Sequence, residues 1–183
     1  MDSKLEQVSG DITKVKQVIT ETKQDAEEEK DRASGANNII IYRAPESSSE
    51  DLVKNDKAFC MELFSEVLEV DFSESDIKAI FRIGKKAQDQ NTRPILIQLK
   101  EKTVKNSIME SLNKLKRATD KFRNLSITHD MTRKERDECK NMVEEAKKRE
   151  VDSQGEFLFR VRGPPGQLKL IRIRRVLAPS QEN

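Results

Sequence analysis

The sequence predicts an α+β protein built from three parts in chain order, on three observations. Apolar residues between positions 5 and 26 recur at alternating steps of three and four, as in a coiled-coil helix. From residue 36 to 128, short β-type runs alternate with helical patterns. From residue 129 to 176, a further helical pattern precedes two basic β-type runs. Residues 177–183 are expected to form a frayed tail.

Charge is clustered along the chain, although the 183 residues carry a net charge of only +2. Residues 82–105 contain seven basic and two acidic side chains, and residues 160–175 contain six basic and none acidic. A polyanion responds to such local potential rather than to net charge, so the clusters predict nucleic-acid contact. No apolar run approaches the roughly 20 residues of a membrane span, and the start lacks a signal-peptide stretch. We therefore expect an intracellular protein.

Residues 1–35 are predicted to form a coiled coil followed by a short linker. The β-branched residues at both a and d positions disfavour a two-stranded coil, so a homotrimer is expected, with other oligomers still open. The alternative is an amphipathic helix packed on its own domain. A charged run at residues 27–30 and the helix-stopping Gly35 predict the linker. The a and d positions are Leu5, Val8, Ile12, Val15, Ile19, Thr22 and Ala26.

The middle segment, residues 36–128, has the element order βαββαβ. Two split βαβ units of this length predict a four-stranded antiparallel sheet with both helices on one face and the other face open. This is the ferredoxin-like plan that RNA-recognition domains use. Ser49 is the expected N-cap of the first helix. The expected strands are residues 39–42, 77–83, 95–99 and 125–127, and the helical patterns are 59–68 and 104–115.

The C-terminal module, residues 129–176, is predicted to be a helix followed by a basic hairpin. Thr132 and Glu135 have the spacing of a capping box, which opens a helix that reaches about Arg149. A four-residue loop at 163–166 then joins two strands. On each strand two arginines are two positions apart, so both lie on the same face of that strand. These residues are Arg160 and Arg162 on the first strand and Arg172 and Arg174 on the second.

Patterns that would indicate an enzyme or a metal site are missing from the sequence. Cys60 and Cys139 have no Cys or His neighbours at metal-ligand spacing. Residues 84–86, Gly-Lys-Lys, lack the earlier glycine and the following Ser or Thr of a phosphate-binding loop. His129 stands beside Asp130 without a nucleophile in any recognisable motif. We therefore expect no catalysis, no cofactor and no metal.

Basic residues around the open sheet face are the candidates for nucleic-acid contact, although a solvated loop at residues 84–93 is the plainer alternative. Central strands of RNA-recognition domains carry aromatic rings that stack on bases, each worth roughly 1–3 kcal/mol. Here the first strand offers only Tyr42 and the third offers none. Low specificity and strong salt dependence are expected. The candidates in this domain are Tyr42, Arg43, Arg82, Lys85, Lys86, Arg93, Lys116, Arg117, Lys121 and Arg123.

Four segments together resemble the first-open-reading-frame proteins of LINE-type, non-LTR retrotransposons, in a short, invertebrate-like form. They are residues 37–46, 81–86, 93–99 and 130–136. The resemblance, which covers about residues 37–150, implies a trimer that coats the RNA of the element and acts as a nucleic-acid chaperone. It places Arg82, Lys85, Lys86 and Arg93 in a basic region between the second and third strands, and Arg133, Arg136 and Lys140 on a third-helix surface.

The expected function is therefore non-enzymatic, low-specificity binding of single-stranded RNA in a cytoplasmic ribonucleoprotein, with a nuclear location also open. Single-stranded DNA stays open as a second ligand. The rival interpretation is a coiled-coil scaffold whose α/β domain binds a protein partner on its open sheet.

Overall fold

The structure is a computed structural model that describes residues 2–46, 51–85 and 92–175. The chain divides between Asp130 and Met131 into two compact units. The first unit contains a long N-terminal helix and a four-stranded antiparallel sheet with helices. The second contains a helix and a β-hairpin. The predicted α+β class is confirmed.

Helix α1 covers Asp2–Gly35 without interruption. Its 34 residues extend over about 51 Å at 1.5 Å per residue. The expectation of a linker before Gly35 is therefore wrong, because these residues continue the helix. Arg32 contributes to the last turns through ion pairs with Glu28 at 3.5 Å and Glu29 at 2.9 Å.

The apolar positions of α1 are exposed to solvent. Every side chain from residue 10 to residue 27 is exposed, so this part of the helix does not pack on its own domain as the alternative required. The Leu5 side chain lies outside the described part of the structure. The exposed a and d positions are Val8, Ile12, Val15, Ile19, Thr22 and Ala26.

Buried contacts fix the C-terminal end of α1 to the rest of the first unit. Lys105, which is only 6% exposed, donates from Nζ to the Ala36 carbonyl at 2.6 Å and to the Gly35 carbonyl at 3.4 Å. A cation at these carbonyls is favoured by the helix dipole. A Cβ on Gly35 would lie 2.9 Å from the Asp130 carbonyl oxygen, so only glycine fits.

The sheet of the first unit is built from short apolar strands. They are β1 (Asn38–Tyr42), β2 (Ile77–Arg82), β3 (Ile95–Leu99) and β4 (Ser126–His129). The strands pair antiparallel in the order β2-β3-β1-β4. At the centre, Ile40 of β1 lies opposite Leu96 of β3 and Thr128 of β4.

One face of the sheet is covered by helices. These are α2 (Leu52–Met61), α3 (Lys102–Glu110) and α4 (Asp120–Arg123). Ile39 and Ile41 of β1 are fully buried in the same apolar cluster as Ile108 of α3. Because side chains alternate along a strand, Ile40 and Tyr42 point to the opposite face.

Two irregular helical segments follow α2 and α3. A π-helical turn covers Glu62–Val67, and a 3-10 helix covers Ser111–Arg117. The N-cap of α2 is Asp51, whose side chain accepts a hydrogen bond from the Lys54 backbone N–H at 3.0 Å. The expected cap, Ser49, lies outside the described residues.

A β-bulge between Ile77 and Ala79 changes which side chains of β2 face the core. The bulge adds one residue to the strand, so the alternation shifts to the other parity beyond it. Ile80 therefore joins Ile77 in the core. Phe81 faces away from the helices and is 47% exposed.

In the second unit, helix α5 covers Arg133–Asp152. The predicted capping box is confirmed: Thr132 Oγ1 accepts from the Glu135 N–H at 3.2 Å, and a Glu135 carboxylate oxygen accepts from the Thr132 N–H at 3.0 Å. Two of the helix's otherwise unpaired N-terminal donors are satisfied in this way.

A hairpin follows α5, with strands β5 (Phe157–Arg162) and β6 (Lys169–Arg174). The connection between them runs from residue 163 to 168, so the expected four-residue loop is too short. Gly163 has φ 113, and a Cβ there would lie 2.4 Å from the Gln167 carbonyl oxygen. The turn therefore requires glycine at this position. Helix α5 packs against β5.

Candidate nucleic-acid interface

Arg82, a predicted RNA contact, forms a buried ion pair instead. Its Nη2 and Nε donate to the two Asp56 carboxylate oxygens at 2.6 and 2.9 Å, and the two side chains are only 5% and 7% exposed. Its guanidinium also donates to the carbonyls of Ala44, Pro45 and Arg93. A guanidinium with its donors committed inside the fold has none to offer a phosphate. The assignment of Arg82 is corrected to a structural role.

Arg93 is also held inside the fold. Its Nε and Nη2 donate to the two Glu46 carboxylate oxygens at 3.0 and 3.1 Å, and its backbone N–H donates to Oε1 at 2.8 Å. These hydrogen bonds lower the pKa of Glu46 to about 2. The Arg93 side chain is 17% exposed. We therefore also withdraw Arg93 as a primary phosphate contact.

The sheet face opposite the helices carries an exposed apolar patch. Phe81, Tyr42 and Ile83 are 47%, 38% and 37% exposed. They lie beside two strand residues, Ile40 and Leu96, that are almost fully buried. We call Tyr42, Phe81 and Ile83 the open-face patch.

The strand register places the open-face patch on one side of the sheet. Phe81 lies opposite Leu96, which in turn lies opposite Ile40. Ile83 donates its N–H to the Pro94 carbonyl at 2.8 Å, which continues the β2–β3 pairing by one more row. Tyr42 lies two residues beyond Ile40 and so shares its face.

Sequence reasoning identified Tyr42 but missed Phe81 and Ile83 as candidate contacts. Alternation counted from Ile77 places both with the core residues, and only the bulge reverses that assignment. The available signal was Ile80, an apolar residue at a position where alternation from Ile77 expects a solvent-facing side chain.

Predicted basic residues lie at one end of this face. Arg43 follows β1 and Lys85 follows β2, and these two strands run parallel to each other because both pair antiparallel with β3. Their C-terminal ends therefore meet at the same end of the sheet. Arg43 has φ 63 and is exposed, and Lys85 is exposed. Lys86 lies outside the described residues.

A second predicted basic group lies on the helical side of the sheet, away from the open-face patch. Lys121 pairs with Glu62 and lies 4.8 Å from the centre of the Phe122 ring. Arg123 is 3.5 Å from Asp120. The structure therefore does not join this group and the sheet-end residues into one surface. The group comprises Lys116, Arg117, Lys121 and Arg123.

The helical side also contains a cleft of about 480 Å³. It lies between the π-helical turn and the 3-10 helix, with Phe122 among its lining residues. Glu66 and Arg117, two further lining residues, are exposed. Both signs of charge border this cleft, which makes it a poor match for a polyanion.

In the second unit, the three predicted α5 residues share one face of the helix. Arg133, Arg136 and Lys140 are separated by three and four positions and are all exposed. The Arg136 guanidinium donates to the Met131 carbonyl at 2.6 Å. The Arg133 and Lys140 cations are available to a ligand.

The hairpin register places the two arginine pairs on opposite faces. Phe159 lies opposite Arg172, and Arg160 lies opposite Ile171. The aromatic face thus carries Phe157, Phe159, Val161, Leu170, Arg172 and Arg174, and the aliphatic face carries Leu158, Arg160, Arg162, Lys169, Ile171 and Ile173.

Acidic residues engage some of the hairpin arginines. Arg160 forms an ion pair with Glu150 of α5, and the Phe159 N–H donates to the same carboxylate at 2.8 Å. The Phe159 hydrogen bond and Arg160 lower the pKa of Glu150.

The aromatic-face arginines are less constrained. Arg172 lies over the Phe157 ring at 4.7 Å, and Arg174 is 4.0 Å from Glu156 while 79% exposed. Arg162 is exposed as well. Among the four predicted hairpin arginines, Arg162, Arg172 and Arg174 are thus less engaged by acidic residues than Arg160.

Comparison with known proteins finds no family model that matches this chain and no relative among the curated proteins. Within the described ranges, no cluster of three or more Cys, His, Asp or Glu side chains is arranged to hold a metal ion. In the same part of the chain, no helix is long and apolar enough to cross a membrane.

Proposed function

We propose that this chain is a non-enzymatic, self-associating protein that binds single-stranded RNA with low specificity. The observation that carries this proposal is the open-face patch, which exposes Tyr42 and Phe81 on a sheet whose end bears Arg43 and Lys85. Aromatic rings beside cations suit single strands, because any base can stack while the cations neutralise phosphates.

The architecture of the first unit supports an RNA-recognition type of domain. Its strands are ordered β2-β3-β1-β4, and Ile39, Ile41 and Ile108 belong to one core on the helical side. Two split βαβ units produce this arrangement, which is the ferredoxin-like plan. The sheet face opposite the helices is the one that such domains use to bind RNA.

Self-association through α1 would supply avidity. The helix exposes Val8, Ile12, Val15 and Ile19 along one stripe, and β-branched residues at both a and d positions favour a trimer. Because linked copies act at high effective concentration, weak single sites can gain roughly 10²–10⁴ in apparent affinity.

The charges beside the α1 stripe favour parallel helices. In the heptad that places Ile12 at a, Asp11 takes a g position, while Lys16 and Lys23 take e positions. In a parallel, in-register coil, the residue at a g position of one helix lies close to the residue at the following e position of the neighbouring helix. Asp11 of one copy therefore lies near Lys16 of the next. Antiparallel helices would place lysines against lysines.

The resemblance to first-open-reading-frame proteins of LINE-type retrotransposons extends the proposal. The chain would then coat an RNA as a ribonucleoprotein component and nucleic-acid chaperone in the cytoplasm, with a nuclear location also open. The exposed cations Arg133, Lys140 and Arg162 of the second unit would add phosphate contacts.

A scaffold that binds a protein on the open sheet face is the second candidate. The exposed aliphatic Ile83 favours it, because a branched aliphatic side chain offers no stacking surface to a base. This candidate predicts binding with little salt dependence.

Titration of fluorescent single-stranded RNA at a series of salt concentrations tests the proposal. Tyr42→Ala with Phe81→Ala should weaken binding by about tenfold or more, since each stacked base is worth roughly 1–3 kcal/mol. Val53→Ala, on the helical side and 52% exposed, is the matched control and should bind as wild type.

The salt slope separates the two candidates. Arg43→Ala with Lys85→Ala should reduce the slope of log affinity against log salt by up to about 1.4, at roughly 0.7 per phosphate. Absence of salt-sensitive RNA binding in the wild type would reject RNA binding and favour the scaffold.

A further inference from the structure

The hairpin of the second unit has one occupied edge and one open edge. On β5, the Phe159 N–H donates to Glu150, and the Phe157 carbonyl accepts a weak hydrogen bond from Ser153. Helix α5 thus occupies the outer edge of β5. Strand β6 pairs only with β5 among the described residues.

The hydrogen-bonding groups on the open edge can be assigned from the register. Because the Phe159 N–H points away from β6, Phe159 and the opposite residue Arg172 form a non-hydrogen-bonded pair. The N–H and C=O groups of Arg172 therefore point outward, as do those of Leu170 and Arg174 at period two. Within the described ranges, no residue bonds to these groups.

The side chains along β6 specify what a further strand would need. Arg172 and Arg174 project on the aromatic face, while Ile171 and Ile173, 43% and 45% exposed, project on the aliphatic face. A strand added beside β6 places alternate side chains next to these two rows. Acidic residues complement the arginines, and apolar residues complement the isoleucines.

A second copy of β6 does not meet this requirement. Antiparallel pairing of two β6 strands brings cations against cations on the aromatic face, for example Arg172 against Arg172. Like charges directly opposite each other destabilise a strand pair. Charged side chains on an edge strand oppose self-pairing in this way, but they attract a strand of opposite sign.

We propose that the open edge of β6 binds an extended protein segment in which acidic and apolar residues alternate. Backbone hydrogen bonds to Leu170, Arg172 and Arg174 supply affinity, and the two side-chain rows supply specificity, as in strand addition generally. A two-stranded hairpin is marginal by itself, so a third strand also stabilises this unit.

The test uses the full chain and a fluorescein-labelled peptide of glutamates alternating with valines, titrated by anisotropy without nucleic acid. This choice keeps the outcome independent of RNA binding. A peptide of the same composition, with the glutamates and valines in two blocks, should bind at least about tenfold more weakly. Equal binding of the two peptides overturns the proposal.

Matched charge reversals locate the site on the hairpin. Arg172→Glu with Arg174→Glu should weaken binding at least about tenfold, because attraction becomes repulsion. Arg133→Glu with Lys140→Glu introduces the same change of charge on the exposed face of α5, away from β6, and should have a smaller effect. Equal losses from the two pairs would indicate general electrostatic attraction and overturn the proposal.

N-methylated peptides test the backbone hydrogen bonds without altering the protein. Two peptides are methylated at every second backbone nitrogen, and the methylated positions of one are offset by one residue from those of the other. The peptide whose methylated nitrogens face β6 should not bind, and the other should bind as the unmethylated peptide does. Equal effects of the two methylation patterns overturn strand addition. If RNA, but not the peptide, protects the β6 amides from hydrogen exchange, the edge binds nucleic acid and the proposal fails.

Discussion

Removal of the Arg82 guanidinium distinguishes a structural residue from an RNA contact. Arg82→Ala leaves the buried Asp56 carboxylate without its counter-ion and removes the donor to the Ala44, Pro45 and Arg93 carbonyls. Loss of one partner of a buried ion pair costs about 3–5 kcal/mol. Since domains are stable by roughly 5–15 kcal/mol, we expect a large drop in the free energy of unfolding.

Urea unfolding followed by circular dichroism measures this loss. The compensating variant, Arg82→Met with Asp56→Leu, replaces the ion pair by apolar side chains. Such a replacement by itself often leaves the free energy of unfolding nearly unchanged. The variant should recover the part of the loss that comes from the uncompensated Asp56 charge, and it should stay below the wild type because the Ala44, Pro45 and Arg93 carbonyls still lack their donor. Its RNA affinity and salt slope should equal those of the wild type, whereas Arg43→Ala with Lys85→Ala should flatten the slope.

Two results would refute the structural assignment of Arg82. One is a cost of Arg82→Ala below about 1 kcal/mol, the range of exposed ion pairs. The other is a flattened salt slope in the compensating double variant, which would mean that the guanidinium reaches a phosphate.

Further perturbations test the remaining conclusions. Deletion of residues 2–26 should give a monomer by sedimentation equilibrium and weaken RNA binding by roughly 10²–10⁴; a monomeric full-length chain would contradict this. The pKa of Glu46 is lowered from 4.5 to about 2 by its hydrogen bonds with Arg93, so its contribution to stability is full above pH 4.5 and is lost as pH falls towards 2. Glu46→Gln should therefore flatten acid unfolding over that window, and an unchanged profile would exclude the contribution. Burial raises the pKa of the Cys60 thiol, so thiol reagents should label Cys139 first under native conditions; equal rates would argue against that burial.

Features that depend on neighbouring residues in the sequence were predictable. The Thr132–Glu135 capping box is confirmed because both partners lie within one helical turn, so no distant contact is needed to form it. The strand at 95–99 coincides with β3, since an apolar run bounded by Pro94 and a charged segment favours a buried strand. The apolar stripe of α1 follows from its spacing alone.

Prediction failed where the pairing between strands decides which face of a sheet a side chain occupies. The bulge in β2 reverses the faces of Phe81 and Ile83, and alternation cannot reveal it because the period is the same on both sides. The hairpin register likewise decides that Arg160 and Arg172 lie on opposite faces. Periodicity within each strand gives no information about the partner strand.

By itself, the sequence determined the α+β class, the order of the elements and the clustering of positive charge, because these depend on composition and on spacing along the chain. Tertiary structure decided which cations are available. Arg82 and Asp56 are 26 positions apart, and Arg93 and Glu46 are 47 apart. An arginine in a basic run has the same local pattern whether it contacts a phosphate or a carboxylate. Only the fold places the carboxylate beside it, and burial then makes that pair too costly to separate.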